Sequence, residues 1–392
     1  MGLLGRLTRG ILVLVLTATV GTGCQVVRLP VPIRALPGEW SIAGSNAGRN
    51  SFSPSDIAPP LQAEWNYGAI AAFGPSGPVV VSGHLLVGNR KGEVHAVRIQ
   101  DGRKIGVANF RQPIEGNVVI SGDRMFVTTA WGPKTVHAYD IGRGEKRWSV
   151  KGGPVDSSPV LVGSILVVAT SDGSITGYES GSGAVVWALE REGAGITASL
   201  IADASGHVYV GDESGLVRSI RSSDGREAWR LRLAAPVYEA MTWMDDELYV
   251  PTTRGLLVRL DARTGIKTWS VDLGAPTIRF TPVTVAADQV YVGTTDGRVR
   301  AFGRVDGARI WETELDDGVS AQPLVTGDHL WVGTFGRDLV ALDRATGARQ
   351  WSIELPGRTK STLTVHDGGI LVLAEPRNVL YFKPTGKGNA DH

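Results

Sequence analysis

"ALDRATGARQW", Ala341–Trp351, decides the fold because it is not alone. "RLDARTGIKTW" ends at Trp269 and "AFGRVDGARIW" at Trp311. "SIRSSDGREAW" ends at Trp229, "GYESGSGAVVW" at Trp187 and "AYDIGRGEKRW" at Trp148. A seventh copy, "AVRIQDGRKIG", has Gly106 where the others have tryptophan. All seven keep a glycine at the same place: Gly102, Gly144, Gly183, Gly225, Gly265, Gly307 and Gly347. Successive copies lie 39 to 42 residues apart, a period that belongs to repeat architectures.

Between copies the grammar is constant. From Thr281 onward, "TPVTVAA", "VYVGTT", "RVRAFG" and "ARIWET" are short apolar or alternating runs separated by "DQ", "DG" and "RVDG". Such spacing predicts four short antiparallel strands joined by tight turns. A four-stranded unit of this size cannot bury both faces alone and must stack on its copies. The closed solution is a β-propeller. An eighth unit starts near Ser361 and ends after three strands without a tryptophan, while "LQAEWNYG" supplies Trp65 one period before Gly106. The expectation is an all-β, eight-bladed propeller closed by pairing of N- and C-terminal strands. In each copy the glycine serves the turn and the tryptophan clamps one blade to the next.

Composition excludes several classes of function. The 392 residues carry 40 basic and 39 acidic side chains with no basic block, which argues against nucleic acid. A single cysteine, Cys24, rules out an internal disulfide and a Cys-based zinc site. Seven scattered histidines form no pair at metal spacing, although His95 and His137 share the same third-strand position in adjacent units. No phosphate loop, nucleophile elbow or dinucleotide fingerprint occurs. The expectation is therefore no catalytic residue, no metal and no cofactor.

The N-terminus has its own logic. Arg6 and Arg9 precede the apolar run Ile11–Val20, which is too short to span a bilayer and fits an export signal. "GTGC", Gly21–Cys24, resembles a bacterial lipobox, with Gly21 where a branched residue is usual. The resemblance implies a signal over residues 1–23 and a lipidated Cys24. Residues 24–38, with prolines at 30, 32 and 37, read as a flexible tether, and residues 39–392 as one propeller domain.

The motif A-x-D-x-x-T-G-x-x-x-W, complete in Ala341, Asp343, Thr346, Gly347 and Trp351, resembles the tryptophan-docking motif of the quinoprotein-type (PQQ-like repeat) propellers. "EWSIAGSNAGRNSFSP" resembles the entry segment of that family. Its dehydrogenases use PQQ, calcium and often a vicinal cysteine pair, and this chain has no second cysteine. Its other branch is similar in length, leader, lipidated cysteine and blade number. That branch comprises non-catalytic lipoproteins of outer-membrane β-barrel assembly. The resemblance implies a lipid-anchored, monomeric scaffold for protein partners in the barrel-assembly complex, facing the periplasm at the outer membrane. A propeller that binds a small ligand or polysaccharide is the alternative. On the family's docking face an apolar-plus-arginine pair resembles Leu189 and Arg191, and a mid-chain acidic loop is represented by Glu239 alone. Tyr238, Trp243, Arg279 and Phe280 lie in irregular loops and have the chemistry of interface anchors.

Overall fold

The computed structural model describes residues 26–33, 44, 46–75, 77–273, 277–359 and 361–385. Among them every regular element is a β-strand. Seven antiparallel four-stranded blades follow one another over residues 79–109, 119–150, 160–189, 201–232, 242–272, 284–314 and 324–354. Blade 8 takes three strands from the C-terminus, Thr364–His366, Gly369–Ala374 and Asn378–Pro384, and its outermost strand, Leu61–Gly68, from the N-terminus. The innermost strands of blades 8 and 1 lie side by side, and Thr364 Oγ1 donates to the Pro78 carbonyl at 3.0 Å, so the ring closes. The seam expected from Trp65 is the one observed.

Each blade buries the middle of its second and third strands almost completely. Blades stack face to face, and the apolar clusters run across blade boundaries: Tyr209 of blade 4 packs with Val258 and Leu260 of blade 5. That shared burial is why no blade stands alone. The tryptophans complete it on the outer strand. The indole N–H of Trp65, Trp148, Trp187, Trp229, Trp269 and Trp311 donates at 2.6–3.1 Å to a carbonyl of the following blade. The acceptor is always three residues before that blade's turn glycine, and the ring lies against the glycine itself. A Cβ built on Gly225 would meet Trp187 at 2.7 Å, and its φ of +73° already disfavours any side chain. Behind each of Trp229, Trp269 and Trp311 stands a buried tyrosine of its own blade, 5.9–6.0 Å away between centroids. Trp351 packs against Trp331 and the seam cluster around Leu61 and Phe382.

One joint differs. At blade 1 the tryptophan is Gly106, and residues 26–29 fill its place. Val27, Leu29 and Ile33 are buried while Val26, Arg28 and Val31 are exposed. The Leu29 N–H donates at 2.7 Å to the carbonyl of Ile141, three residues before Gly144. This is the hydrogen bond that indoles make elsewhere. Tyr139 Oη adds a bond to the Val27 carbonyl at 3.1 Å. The backbone of Val26 and Val27 lies so close to Gly106 that a Cβ there would meet it at 2.5–2.9 Å. The expectation of a flexible tether over residues 24–38 is corrected for 26–33. The alternating apolar side chains find a groove that the absent indole leaves, and the prolines suit an extended strand-like path along a rim.

Candidate functional site: the upper funnel

The turns between second and third strands and the connections from one blade to the next share one end of the ring, here called the upper face. These connections line a funnel of about 560 Å³ on the central axis. Its architecture follows from the repeat. A hydroxyl or amide at the entry to one innermost strand bonds the equivalent place in an adjoining blade, one period away. The Asn117 N–H donates to Ser158 Oγ at 2.9 Å, Thr242 Oγ1 to the Val283 carbonyl at 2.7 Å, and Gln322 Nε2 to the same carbonyl at 2.8 Å. These bonds satisfy buried polar groups where backbones converge and hold the wall at fixed diameter.

Residues 46–53 run along the inner wall of blades 4 to 7. The Ala202 N–H donates to the Ala47 carbonyl, and the Trp243 N–H to that of Gly48. Asn50 makes two 2.8 Å bonds with the backbone of Val285. Phe52–Ser53 adds a parallel fifth strand to the inner edge of blade 7, against Val325 and Thr326. Arg49, 5% exposed, donates from Nε to the Leu200 carbonyl at 3.0 Å and belongs to the funnel lining. Burial lowers its guanidinium to about 10, which leaves it charged at neutral pH.

Higher on the wall the structure brings together Tyr238, Glu239 and Arg279. The Arg279 guanidinium lies 6.0 Å from the centre of the Tyr238 ring, within cation–π reach. Burial pushes the Glu239 carboxyl above its usual range, and the Arg279 charge opposes that shift. Tyr238 is 40% exposed, as is Phe335 at the same mouth. The funnel therefore offers aromatic faces and charges of both signs. Among the described residues no group of three His, Cys, Asp or Glu side chains is placed to hold a metal.

The remaining expected contact residues separate. Arg191 is exposed on the upper face beside the Gly173 turn, with Nε donating to the Gly193 carbonyl at 3.3 Å. Leu189 is half-buried against the blade 3 cluster. Two of the interface anchors belong instead to the scaffold. Phe280 borders the funnel beside Arg279 but is 1% exposed in the core between blades 5 and 6, and Trp243 is half-buried against the cluster of blades 4 and 5. Backbone pairing explains both, since Trp243 is the middle residue of the innermost strand of blade 5 and Phe280 is bridged to Thr294 ahead of that of blade 6. Sequence reasoning missed Arg49, Glu115, Asp156 and Arg358, which also line the funnel. The repeat offset was the available signal, because Glu115, Asp156 and Glu239 occupy corresponding connections. Cys24 and Gly21 lie outside the described residues.

Comparison with known proteins places this geometry. Over 128 residues the chain is 30% identical to outer membrane protein assembly factor BamB of Shewanella oneidensis, covering 32% of this chain and 31% of that one. With BamB of Moranella endobia the match is 24% over 294 residues, covering 67% and 72%. The fold superimposes on BamB from Moraxella catarrhalis with a TM-score of 0.72 at 23% identity, over 85% of this chain and all of that one. It also superimposes on the quinohemoprotein alcohol dehydrogenase of Comamonas testosteroni, TM-score 0.75 at 14% identity, covering 88% and 80%. That likeness is one of fold alone. The family described as outer membrane protein assembly factor BamB matches residues 49–194, 171–318 and 295–389, and the chain belongs to that family.

Proposed function

We propose that this propeller is a non-catalytic, lipid-anchored scaffold of outer-membrane β-barrel protein assembly. It would be held at the periplasmic side of the outer membrane through Cys24. The observation that carries the reading is the family match across nearly the whole ring. The site supports it. Leu189, Arg191, Tyr238, Glu239 and Arg279 share the upper face, and an exposed Tyr–Arg pair beside Phe335 is the kind of anchor that protein interfaces use. A partner seated there would cover the funnel mouth, and the ring of inter-blade hydrogen bonds gives it a rigid platform. No chemistry is assigned to the funnel in this reading; the chain has one cysteine, Cys24, where the dehydrogenases often have a vicinal pair, and among the described residues no group of three His, Cys, Asp or Glu side chains is placed to hold a metal.

The test is recovery of the protein from native membranes under mild detergent, with and without Tyr238→Ala and Arg279→Glu. Barrel-assembly components should accompany the unaltered protein, and the double variant should retain them at least tenfold less while melting normally. Absence of those components from the unaltered preparation would sink the reading. Dye reduction by alcohols after addition of PQQ and calcium would overturn the non-enzyme assignment.

A further inference from the structure

The segment that clamps blades 1 and 2 begins two residues after Cys24. Two residues of chain reach at most roughly 7 Å, so whatever holds Cys24 also holds this rim. The rim has a distinct surface. Val26 and Val31 are 53% and 64% exposed, unlike the buried Val27, Leu29 and Ile33 between and beside them. Arg28 projects from the same segment, its Nε bonded to the Gly142 carbonyl at 3.1 Å. Lys104 stands on the adjoining outer strand of blade 1 and Arg111 just past its end, and Lys146 on that of blade 2, 4.9 Å from the Phe110 ring centre. Lys104, Arg111 and Lys146 are exposed and have no ion pair among the described residues.

Charge is unevenly spread around the ring. Residues 90–151 hold 12 basic and 6 acidic side chains, whereas the rest of the chain from Cys24 onward holds 26 basic and 33 acidic. The near-neutral total hides one positive sector. Burial and the neighbouring Arg111 hold the Lys146 ammonium below its ordinary range, a crowding that a nearby anion relieves.

We propose that the outer rim of blades 1 and 2 is the membrane-facing surface of the propeller. Val26 and Val31 dip toward the lipid, and Arg28, Lys104, Arg111 and Lys146 lie against anionic phospholipid headgroups. The inference rests on the lipid anchor at Cys24 and adds the orientation that the anchor imposes. Seated this way, the axis of the ring lies along the membrane plane and the funnel opens sideways. The upper face stays free for a protein partner, and basic residues near an anionic surface contribute roughly 1 kcal/mol each.

Two measurements test it. In the first, the acylated full-length protein is reconstituted into phosphatidylcholine–phosphatidylglycerol vesicles carrying a headgroup quencher. It bears a fluorophore on Lys104→Cys or, as a reference across the ring, on Lys267→Cys. Quenching should be several-fold stronger at 104; equal quenching, or stronger quenching at 267, overturns the proposal. The mass of the N-terminal peptide is read on the same sample. An unmodified Cys24 there defeats the anchor reading, whereas an acylated Cys24 with a distant rim defeats only the orientation. In the second, a Cys24→Ser chain is exported with a conventionally cleaved leader in place of residues 1–23. It should bind vesicles containing phosphatidylglycerol, and Lys104→Gln/Arg111→Gln/Lys146→Gln should weaken that binding by about a hundredfold. Unchanged binding by this triple variant, or binding to pure phosphatidylcholine as tight as to the mixture, also overturns it.

Discussion

Of the eight blade joints, six are clamped by an indole that hydrogen-bonds across, one by Trp351 packed on the seam cluster and one by a stretch of backbone. Where Trp187 joins blade 3 to blade 4, one side chain supplies the apolar area and the N–H, and both come from the blade itself. Where blade 1 meets blade 2, Val27 and Leu29 supply the area, and the Leu29 amide supplies the N–H to Ile141. The pocket differs to match. Blade 1 has Leu86 where blades 4 to 6 have Tyr209, Tyr249 and Tyr291 behind the tryptophan, and Gly106 lets backbone approach where a ring would stand. The same hydrogen bond is thus made by a residue local to its blade in one case and by a segment about 80 residues away in the other. A local clamp forms with its blade. A distant one adds loop-closure entropy to its cost, so it is the weaker joint for equal area.

Breaking a local clamp should have the largest effect. Trp187→Ala removes an 8% exposed indole and its 2.6 Å bond, and about 3–5 kcal/mol of stability should go with it, read from the denaturation midpoint in urea. Gly106→Trp sharpens the comparison further. In the full chain the new ring must evict residues 26–29, at a cost of about 1–3 kcal/mol from overpacking. In a chain with Val27→Ser and Leu29→Ser, which loosens the distant clamp, the same Gly106→Trp should instead raise the midpoint. Destabilisation by a similar amount in both backgrounds would show that the groove is not an indole site.

A further expected effect is on pH. His137 belongs to the distant joint, 5.1 Å from Phe110 between ring centres, with Nδ1 at 2.8 Å from Ser149 Oγ. Burial, then the Lys146 charge, depress its imidazole to about 4 from an ordinary 6.5. The unfolded chain therefore takes up a proton first as pH falls through 6.5, while the folded chain resists until about 4. Stability contributed by the neutral ring is intact above 6.5 and is lost across that window. Relative to the intrinsic rate at each pH, amides at Ile141 and Gly144 should lose protection against exchange between pH 6.5 and 4, while protection at Ser222 and Gly225 in the Trp187 joint stays constant. His137→Gln should remove the difference between the two joints.

Much of the ring was legible in the sequence because the repeat overdetermines it. Seven glycines in register and a tryptophan four residues later in six copies leave few other solutions, and Trp65 one period before Gly106 reveals the seam. The clamp at residues 26–33 was not legible. Three prolines within 24–38 dominate a local reading, and nothing local says that Val27 and Leu29 match a vacancy near Ile141. The funnel was half legible. Tyr238, Glu239 and Arg279 stood out as irregular connections, but Phe280 and Trp243 share their loops and face the core. Only the pairing of Phe280 with Thr294 and of Trp243 with Leu248 fixes their direction. The basic sector of blades 1 and 2 was hidden by a balanced total charge.

The paths of residues 26–33 and 46–68 have a bearing on how the chain is made. These segments are the earliest parts of the described fold to be synthesised, yet their partners are the blade 1–2 joint, the inner strands of blades 4 to 7, and Asn378–Pro384 at the far end. Leu61–Gly68 can reach its final position only after the last blade exists. A chain interrupted after blade 6 keeps an N-terminal stretch with no complete place to lie and two unpaired blade edges. Closure thus acts as a completeness check, in which Leu61–Gly68, made before any blade, is seated only when the last one exists.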